Sequence, residues 1–195
     1  MSRWSISFRL WHWIHAFVVI GLLSTVFLRK TFLSWRANSE ILSTKLLTMD
    51  INVSSEQAKL LAKSIRAPMW DWHIFLGYAL AILLLIRILL FFTPSGKENY
   101  ISIKSLGLHK KMVSMGYIGI YLILGFMSIT GLILVFYQDL GLLKETAHSI
   151  KEVHEFVFNF VWIFVLLHIA GIVVAEQTED KGIVSGMING GELKK

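Results

Sequence analysis

The sequence predicts an all-α fold, an integral membrane bundle of four helices, and composition, segment length and periodicity each support that prediction. Hydrophobic residues make up 55% of the 195 residues and charged residues only 16%, whereas soluble domains carry roughly 25% charged residues. Four apolar stretches are each long enough to cross a bilayer, which takes roughly 20 residues of helix. None of them alternates with the period of two that marks a barrel strand, so each is predicted to be a helix.

The four predicted spans lie in a single domain of residues 1–195. Charged residues flank the first and the fourth span, and the third contains none. The first span has the positive start of a signal peptide, but no small-x-small cleavage site follows it, so we expect it to be retained. The expected boundaries are about 10–28, 72–92, 112–138 and 156–175.

The longest segment between spans, residues 29–71, is expected to be a polar loop. Within it, Ser54 and Gln57 have the spacing of a capping box, and the residues from Ser54 to Arg66 form a short amphipathic stretch. We expect this stretch to lie on the membrane surface and to lead through Pro68 into the second span.

Charge and cysteine content exclude several classes of function. The net charge is +6, but Lys and Arg are scattered between apolar runs, so no nucleic acid partner is expected. The chain contains no Cys, which excludes disulfides, thiolate zinc sites, cysteine-ligated iron–sulfur clusters and covalently attached haem.

The distribution of basic residues predicts the orientation in the membrane. Lys and Arg are equal in number on the two sides, but they are denser between the second and third spans. Because basic residues close to the membrane favour the cytoplasmic side, both termini are expected in the cytoplasm. The basic residues between the second and third spans are Lys97, Lys104, Lys110 and Lys111.

Histidine is concentrated in the apolar spans. Ionisable groups inside a bilayer are costly and usually functional, although a single His has an ordinary explanation, a hydrogen bond to a neighbouring helix. Five of the 7 His lie in or at the edge of a span. A hydrogen bond to a neighbouring helix does not easily explain so many. They are His12, His15, His73, His154 and His168.

The positions of four of these histidines along their helices predict two pairs. His154 and His168 are 14 residues apart, which corresponds to roughly 21 Å along nearly one face of a helix. One of them therefore lies near each membrane surface. Antiparallel spans place His12 at the depth of His168, and His73 at the depth of His154. The sequence thus predicts two sites, one above the other, each with two imidazoles from different helices.

Two imidazoles within an apolar helix bundle are a donor set that suits haem iron. Zinc usually takes four ligands that include Cys or carboxylate, and the spans offer neither at these depths. Small residues follow three of the histidines by three or four positions, where they would leave space for a porphyrin edge: Ala16, Gly77 and Gly171. Ordinary packing between helices explains each of these small residues about equally well.

Arg87 is the other costly residue within a span. It follows His73 by 14 residues and so lies at the depth of the pair formed by His12 and His168. The spans contain no Asp or Glu, so a haem propionate is the expected anion in a charge-assisted pair. Snorkelling of the guanidinium to the nearby cytoplasmic surface is the alternative.

The sequence resembles a known family in several motifs. They are RLWHWIHA at 9–16, WDWHIFLGY at 70–78 with Arg87 downstream, and the pair of His154 and His168. It is the family of four-helix di-haem b-type cytochromes, which includes the bacterial cytochrome b561 proteins and the membrane subunits of NiFe hydrogenases and respiratory formate dehydrogenases. The resemblance covers all four spans.

The resemblance implies two stacked, non-covalent b haems whose axial ligands are His12, His73, His154 and His168. It assigns no role to His15. For that residue an interfacial position is the ordinary explanation, and a quinone site or a place next to a ligand are the alternatives. The two remaining histidines, at 109 and 148, are expected in solvated loops.

The function that the resemblance implies is one-electron transfer across the bacterial inner membrane, between the quinone pool and a redox partner such as a periplasmic c-type cytochrome. Quinol oxidoreductase activity and a homodimeric state are left open. A haem-bearing anchor subunit of a hydrogenase or dehydrogenase is an alternative within the class. A proton or metal transporter with histidines along its path is an alternative from a different class, although the sequence lacks the internal repeats typical of transporters.

Overall fold

The computed structural model describes residues 4–92, 108–178 and 181–190, and this part of the chain is helical without a strand. For residues 108–110 only the backbone is described. In chain order the helices are α1 (Ile6–Lys30), α2 (Trp35–Leu47), α3 (Ser55–Phe91), α4 (Leu108–Val135), α5 (Lys144–Gln177) and α6 (Ile183–Asn189).

Four of these helices, α1, α3, α4 and α5, are long and apolar enough to cross a membrane. Many of their large apolar side chains are exposed: Phe17, Leu122 and Leu167 have exposed fractions of 71%, 70% and 67%. A water-facing protein would bury such side chains, whereas a lipid-facing one has no reason to do so. The prediction of an all-α membrane bundle of four helices is confirmed.

The segment between the first two spans is more ordered than the sequence suggested. It contains α2, and the amphipathic stretch is continuous with the second span, so that α3 begins at Ser55 and has Pro68 in its interior. The capping box is confirmed: the Ser54 amide donates to Gln57 Oε1 (2.8 Å), and the Gln57 amide donates to Ser54 Oγ (3.3 Å).

The ends of the other spans also differ from expectation. Helix α4 ends at Val135 rather than near residue 138, and the chain turns through Gly141, whose φ of 66° is in the left-handed region that glycine adopts readily. Helix α5 begins at Lys144, well before the expected start at 156. His154 therefore lies in the interior of a helix. Residues 93–107, which follow the expected end of the second span at residue 92, lie outside the described residues.

The chain divides into two compact units, and the boundaries fall within α1 and α3. One unit comprises residues 1–16 and 78–195, and the other comprises residues 17–77. In the second unit α1 and α3 approach closely at Gly21. A Cβ added to this glycine would lie only 2.9 Å from Leu76 Cδ1. In the first unit, α4 packs along α5.

Candidate functional site

A buried tryptophan holds the start of α1 against the second half of α3. Trp11 is only 5% exposed, and its indole Nε1 donates to the Leu83 carbonyl oxygen over 2.7 Å. This hydrogen bond joins a side chain of α1 to the backbone of α3, so it fixes the rotation of α1 about its own axis. The orientation of the next residue, His12, is fixed with it.

The structure brings His12 and His168 together. Their ring centroids lie 6.3 Å apart, with an angle of 58° between the ring planes. Metal–imidazole bonds are about 2.0–2.1 Å long, so two imidazoles on opposite sides of one metal ion have ring centres roughly 6 to 6.5 Å apart. The spacing of this pair fits two axial ligands of a haem iron.

Aromatic neighbours hold the ring of His168 on α5. Phe164, one turn earlier on the same helix, stacks on it with centroids 5.8 Å apart and planes 10° apart. Tyr117 of α4 meets it edge-on at 6.0 Å, and the Tyr117 hydroxyl lies 3.5 Å from His168 Nδ1. That distance is at the upper limit for a hydrogen bond, so packing contributes more than hydrogen bonding to the orientation of this ring.

Two of the glycines that follow histidines, Gly77 and Gly171, have no close neighbour among the described residues. A Cβ built on Gly77 or on Gly171 meets nothing within 4 Å among the described residues, in contrast to Gly21. Packing of small residues between helices would require a neighbouring helix at that distance. The open space by itself does not point to a cofactor, since an added Cβ also meets none of the described residues within 4 Å at Gly116, Gly119 and Gly125 of α4.

The guanidinium of Arg87 is held by aromatic side chains near the start of α1. It lies 5.1 Å from the ring centre of Phe8, 5.5 Å from that of Trp11 and 5.8 Å from that of Tyr121. Its Nε also donates to the Tyr121 hydroxyl over 3.3 Å. Cation–π contacts in an apolar setting stabilise the charge where it is. Arg87 is thus fixed beside the residues that precede His12, as the depth argument predicted.

His154 has a buried hydroxyl as its neighbour. Its Nδ1 lies 2.8 Å from Thr130 Oγ1 on α4, and Thr130 is only 7% exposed. The next residue of α4 is Gly131, whose added Cβ would lie 3.5 Å from His154 Cε1. The glycine lets α4 pass close to the imidazole ring, and the threonine provides the polar contact.

His73 has the same kind of neighbour within the other compact unit. Its Nδ1 lies 2.7 Å from Thr25 Oγ1 on α1, and Thr25 is only 6% exposed. Trp70, three residues earlier on α3, meets the imidazole ring edge-on at 5.7 Å. Each of these two histidines therefore has a hydroxyl on Nδ1.

The other histidines have different surroundings. His15 stacks on Trp11 with centroids 4.7 Å apart, and its Nε2 is buried without a hydrogen-bond partner among the described residues. His148 does not lie in a loop, as expected, but in the first turns of α5, where its Nε2 is 3.5 Å from the Glu152 carboxylate on the protein surface. The backbone of His109 also lies in a helix, α4, and its side chain is outside the described part of the structure.

The short C-terminal helix α6 is attached to the turn of α1 that carries His12. Arg9 Nη1 donates to the Ile188 carbonyl over 3.0 Å, and Trp13 Nε1 donates to the Met187 carbonyl over 3.1 Å. The Glu176 carboxylate, at the end of α5, accepts from the amides of Gly182 and Val184 at 2.8 and 3.0 Å. The segment after α5 is thereby held against the first turns of α1.

Sequence reasoning missed the residues that contact the imidazoles and the arginine. They are Thr25, Thr130, Tyr117 and Tyr121. The sequence places each threonine at about the same membrane depth as its histidine. Thr25 and Thr130 lie near the ends of the first and third spans, and the two histidines lie near the starts of the second and fourth. Depth alone would not have shown that they face those histidines.

The donor set suits haem better than a metal ion bound by protein alone. Within the described ranges, no group of three or more His, Cys, Asp or Glu side chains comes together as a metal site. Haem iron needs only two protein ligands, because the porphyrin supplies the other four nitrogens.

Comparison with known proteins agrees with this assessment. The family model described as prokaryotic cytochrome b561 matches residues 3–190, nearly the whole chain. No curated protein and no solved structure matches the chain.

Proposed function

This chain belongs to the prokaryotic cytochrome b561 family, which makes it a multi-pass membrane b-type cytochrome that functions in electron transfer, and we propose that it carries electrons between the quinone pool and a redox partner through two non-covalent b haems. The observation that carries the proposal is the 6.3 Å separation of the His12 and His168 rings within a chain of this family. Two imidazoles at that spacing in an apolar bundle suit low-spin haem iron and little else.

The proposed axial ligands are His12 with His168 for one haem, and His73 with His154 for the other. The ring separation supports the first pair. The second pair rests on the equal depths of the two residues in the sequence, and on the Thr hydroxyl that each of them has on Nδ1. When bound, haem supplies a reversible one-electron couple of its iron.

The side chains of this chain give each haem its environment. Phe164 and Tyr117 hold the ring of His168 in place, so the ligand needs little reorganisation when the charge on the iron changes. Arg87 provides a fixed cation beside the His12 region, where it would pair with a propionate. The surrounding apolar helices exclude water, which strengthens each of these electrostatic interactions.

The proposed location is the bacterial inner membrane with both termini in the cytoplasm. The pair of His12 and His168 then lies on the cytoplasmic side, and His73 and His154 lie on the periplasmic side. The proposed partners are a quinone or quinol and a periplasmic c-type cytochrome. The family favours electron transfer over the alternative of a transporter with histidines along its path.

Purified protein in liposomes tests the proposal. We expect a quinol to reduce the b haems, seen as the growth of the α band, and oxidised c-type cytochrome added outside to reoxidise them. The matched control is His148→Leu, which removes a surface imidazole and should leave both steps unchanged. Haems that dithionite reduces but no quinol does would contradict the quinone assignment. Haems that a quinol reduces but the c-type cytochrome does not reoxidise would contradict the assignment of the partner.

A further inference from the structure

Two buried threonines each lie within hydrogen-bond distance of a histidine in another helix. Thr25 Oγ1 lies 2.7 Å from His73 Nδ1, and Thr130 Oγ1 lies 2.8 Å from His154 Nδ1. Both threonines are more than nine-tenths buried, with exposures of 6% and 7%. Buried hydroxyls in an apolar bundle need hydrogen-bond partners, and in both cases one partner is an imidazole.

The direction of each hydrogen bond follows from the other contacts of the hydroxyl. Thr25 Oγ1 donates to the Leu22 carbonyl oxygen of its own helix over 2.6 Å, and Thr130 Oγ1 donates to the Phe126 carbonyl oxygen over 2.8 Å. A carbonyl oxygen cannot donate, and a hydroxyl has one proton. That proton is used in the bond to the carbonyl, so the threonine oxygen accepts from the imidazole and Nδ1 carries the hydrogen.

This arrangement fixes the tautomer of both imidazoles. With the proton on Nδ1, the lone pair of the neutral ring is on Nε2, which is the nitrogen farther from the backbone and the one able to reach a metal. A hydrogen bond from the other ring nitrogen orients a ligating imidazole and raises its basicity. A more basic ligand stabilises the ferric state relative to the ferrous state, because the ferric iron has the greater positive charge.

We propose that Thr25 and Thr130 are positioning residues for one haem, the one ligated by His73 and His154, and that their hydroxyls lower its midpoint potential. This inference rests on the proposed function, because it takes these histidines as the ligands. The two threonines act from α1 and α4 on two different histidines, and the assignment of these histidines to one haem is taken from the proposed function.

The other proposed pair of ligands provides the contrast. His168 has the Tyr117 hydroxyl at 3.5 Å from Nδ1, and His12 is surrounded by aromatic rings, Phe8 at 6.5 Å and Trp13 at 5.6 Å between ring centres. Neither has a threonine hydroxyl at hydrogen-bond distance among the described residues. Removing the threonine hydroxyls should therefore affect one haem and leave the other as it is.

Spectroelectrochemical titration of the full-length protein in detergent is the test, with the variants Thr25→Val and Thr130→Val. Valine has nearly the shape of threonine but no hydroxyl, so packing is kept while the hydrogen bond is lost. We expect each variant to raise the midpoint potential of the same haem component, and the double variant to raise it further. The retention of that haem should also fall, in the range of 10–100-fold that is typical when the hydrogen-bond partner of a metal ligand is lost.

The serine variants Thr25→Ser and Thr130→Ser separate positioning from packing. Serine keeps the hydroxyl and loses only a methyl group, so the wild-type potential should return. The low-spin EPR signal of the ferric haem, which depends on the relative orientation of the two imidazole planes, should change in the valine variants and not in the serine variants. The matched controls are Ser24→Ala and Thr31→Val, whose hydroxyls donate to the Ile20 and Phe27 carbonyls of the same helix.

Three results would overturn the inference: valine variants with unchanged potentials and EPR signals, serine variants that behave like valine, or Thr25→Val and Thr130→Val acting on different haem components. Failure of the proposed function is distinguishable from these, because it is read from the wild-type protein before any substitution. Wild-type protein without two bis-His haems contradicts the ligand assignment itself.

Discussion

The imidazole rings of His12 on α1 and His168 on α5 lie 6.3 Å apart at an angle of 58°, although 156 positions of the chain separate them. Trp11 fixes the rotation of α1 through its bond to the Leu83 carbonyl, and Phe164 fixes the ring of His168 by stacking. The helix that carries His12 and the ring of His168 are thus each held by an aromatic neighbour, which is the preorganisation expected of the proposed ligand pair.

The first prediction concerns the number and attachment of the haems. We expect two haems per chain, and both should be released by acid–acetone extraction, because a chain without Cys has no thiol to bind them covalently. A pyridine haemochrome assay against quantitative amino-acid analysis measures the ratio. One haem per chain, or haem that stays with the polypeptide, would contradict the proposed ligand set.

The second prediction concerns the pairing of the ligands. His12→Leu and His168→Leu should remove the same spectral component, and His73→Leu and His154→Leu should remove the other, because loss of either axial ligand weakens haem binding. Difference spectra of membranes, normalised to the amount of protein, are the measurement. If His12→Leu and His73→Leu remove the same haem, the depth argument is wrong.

Two further histidines serve as controls for that series. His148→Leu changes a surface imidazole beside Glu152, and His15→Leu changes one that stacks on Trp11. Both variants should retain both haems, because neither residue is needed to complete a pair. Loss of a haem in His15→Leu would assign that residue a role in ligation.

The third prediction concerns the cation near the His12 region. Arg87→Leu should lower the midpoint potential of the haem ligated by His12 and His168, because removal of a nearby positive charge stabilises the ferric centre. The expected shift is on the order of tens of millivolts. Arg87→Lys keeps the charge but loses the bond from Nε to Tyr121, and should shift the potential less.

The control for Arg87 is Arg36→Leu. Arg36 lies over the Trp35 ring at the start of α2, so this variant also removes one positive charge from a cation–π contact. Its potentials should equal those of the wild type. Equal shifts in both variants would indicate an effect of net charge and not of the position of Arg87.

The fourth prediction concerns orientation. A Cys introduced at Lys45 of α2 should react with a membrane-impermeant thiol reagent in intact spheroplasts, because α2 is predicted to face the periplasm. A Cys at Lys111, near the start of α4, should react only after the membrane is broken. The chain has no other thiol, so each signal has one source. The reverse result would exchange the compartments that the two haems face.

The sequence predicted those features of the site that depend on position along a helix. The depth of each histidine follows from the helical rise of about 1.5 Å per residue, and the structure indeed brings His12 beside His168 and places Arg87 next to Phe8 and Trp11. The capping box of Ser54 and Gln57 was also predictable, because it involves neighbours in the chain.

The sequence was less informative where local signals compete with the rest of the fold. It predicted a short amphipathic stretch from Ser54 to Arg66 on the membrane surface, separate from the second span, but α3 continues through Pro68 from Ser55 to Phe91. An interior proline costs about 3 kcal/mol, and the part of α3 before it is packed, because Ala58 and Ala62 are almost completely buried. Packing of the whole helix decided its length.

By itself, then, the sequence determined how many helices are long and apolar enough to cross the membrane, and it predicted the depth at which each histidine lies along its helix. Only the tertiary structure decided which residues face each histidine: Thr25 for His73 and Thr130 for His154. The physical reason is that depth depends on the rise of a single helix, whereas the direction of a side chain around the helix axis depends on how distant segments pack against it.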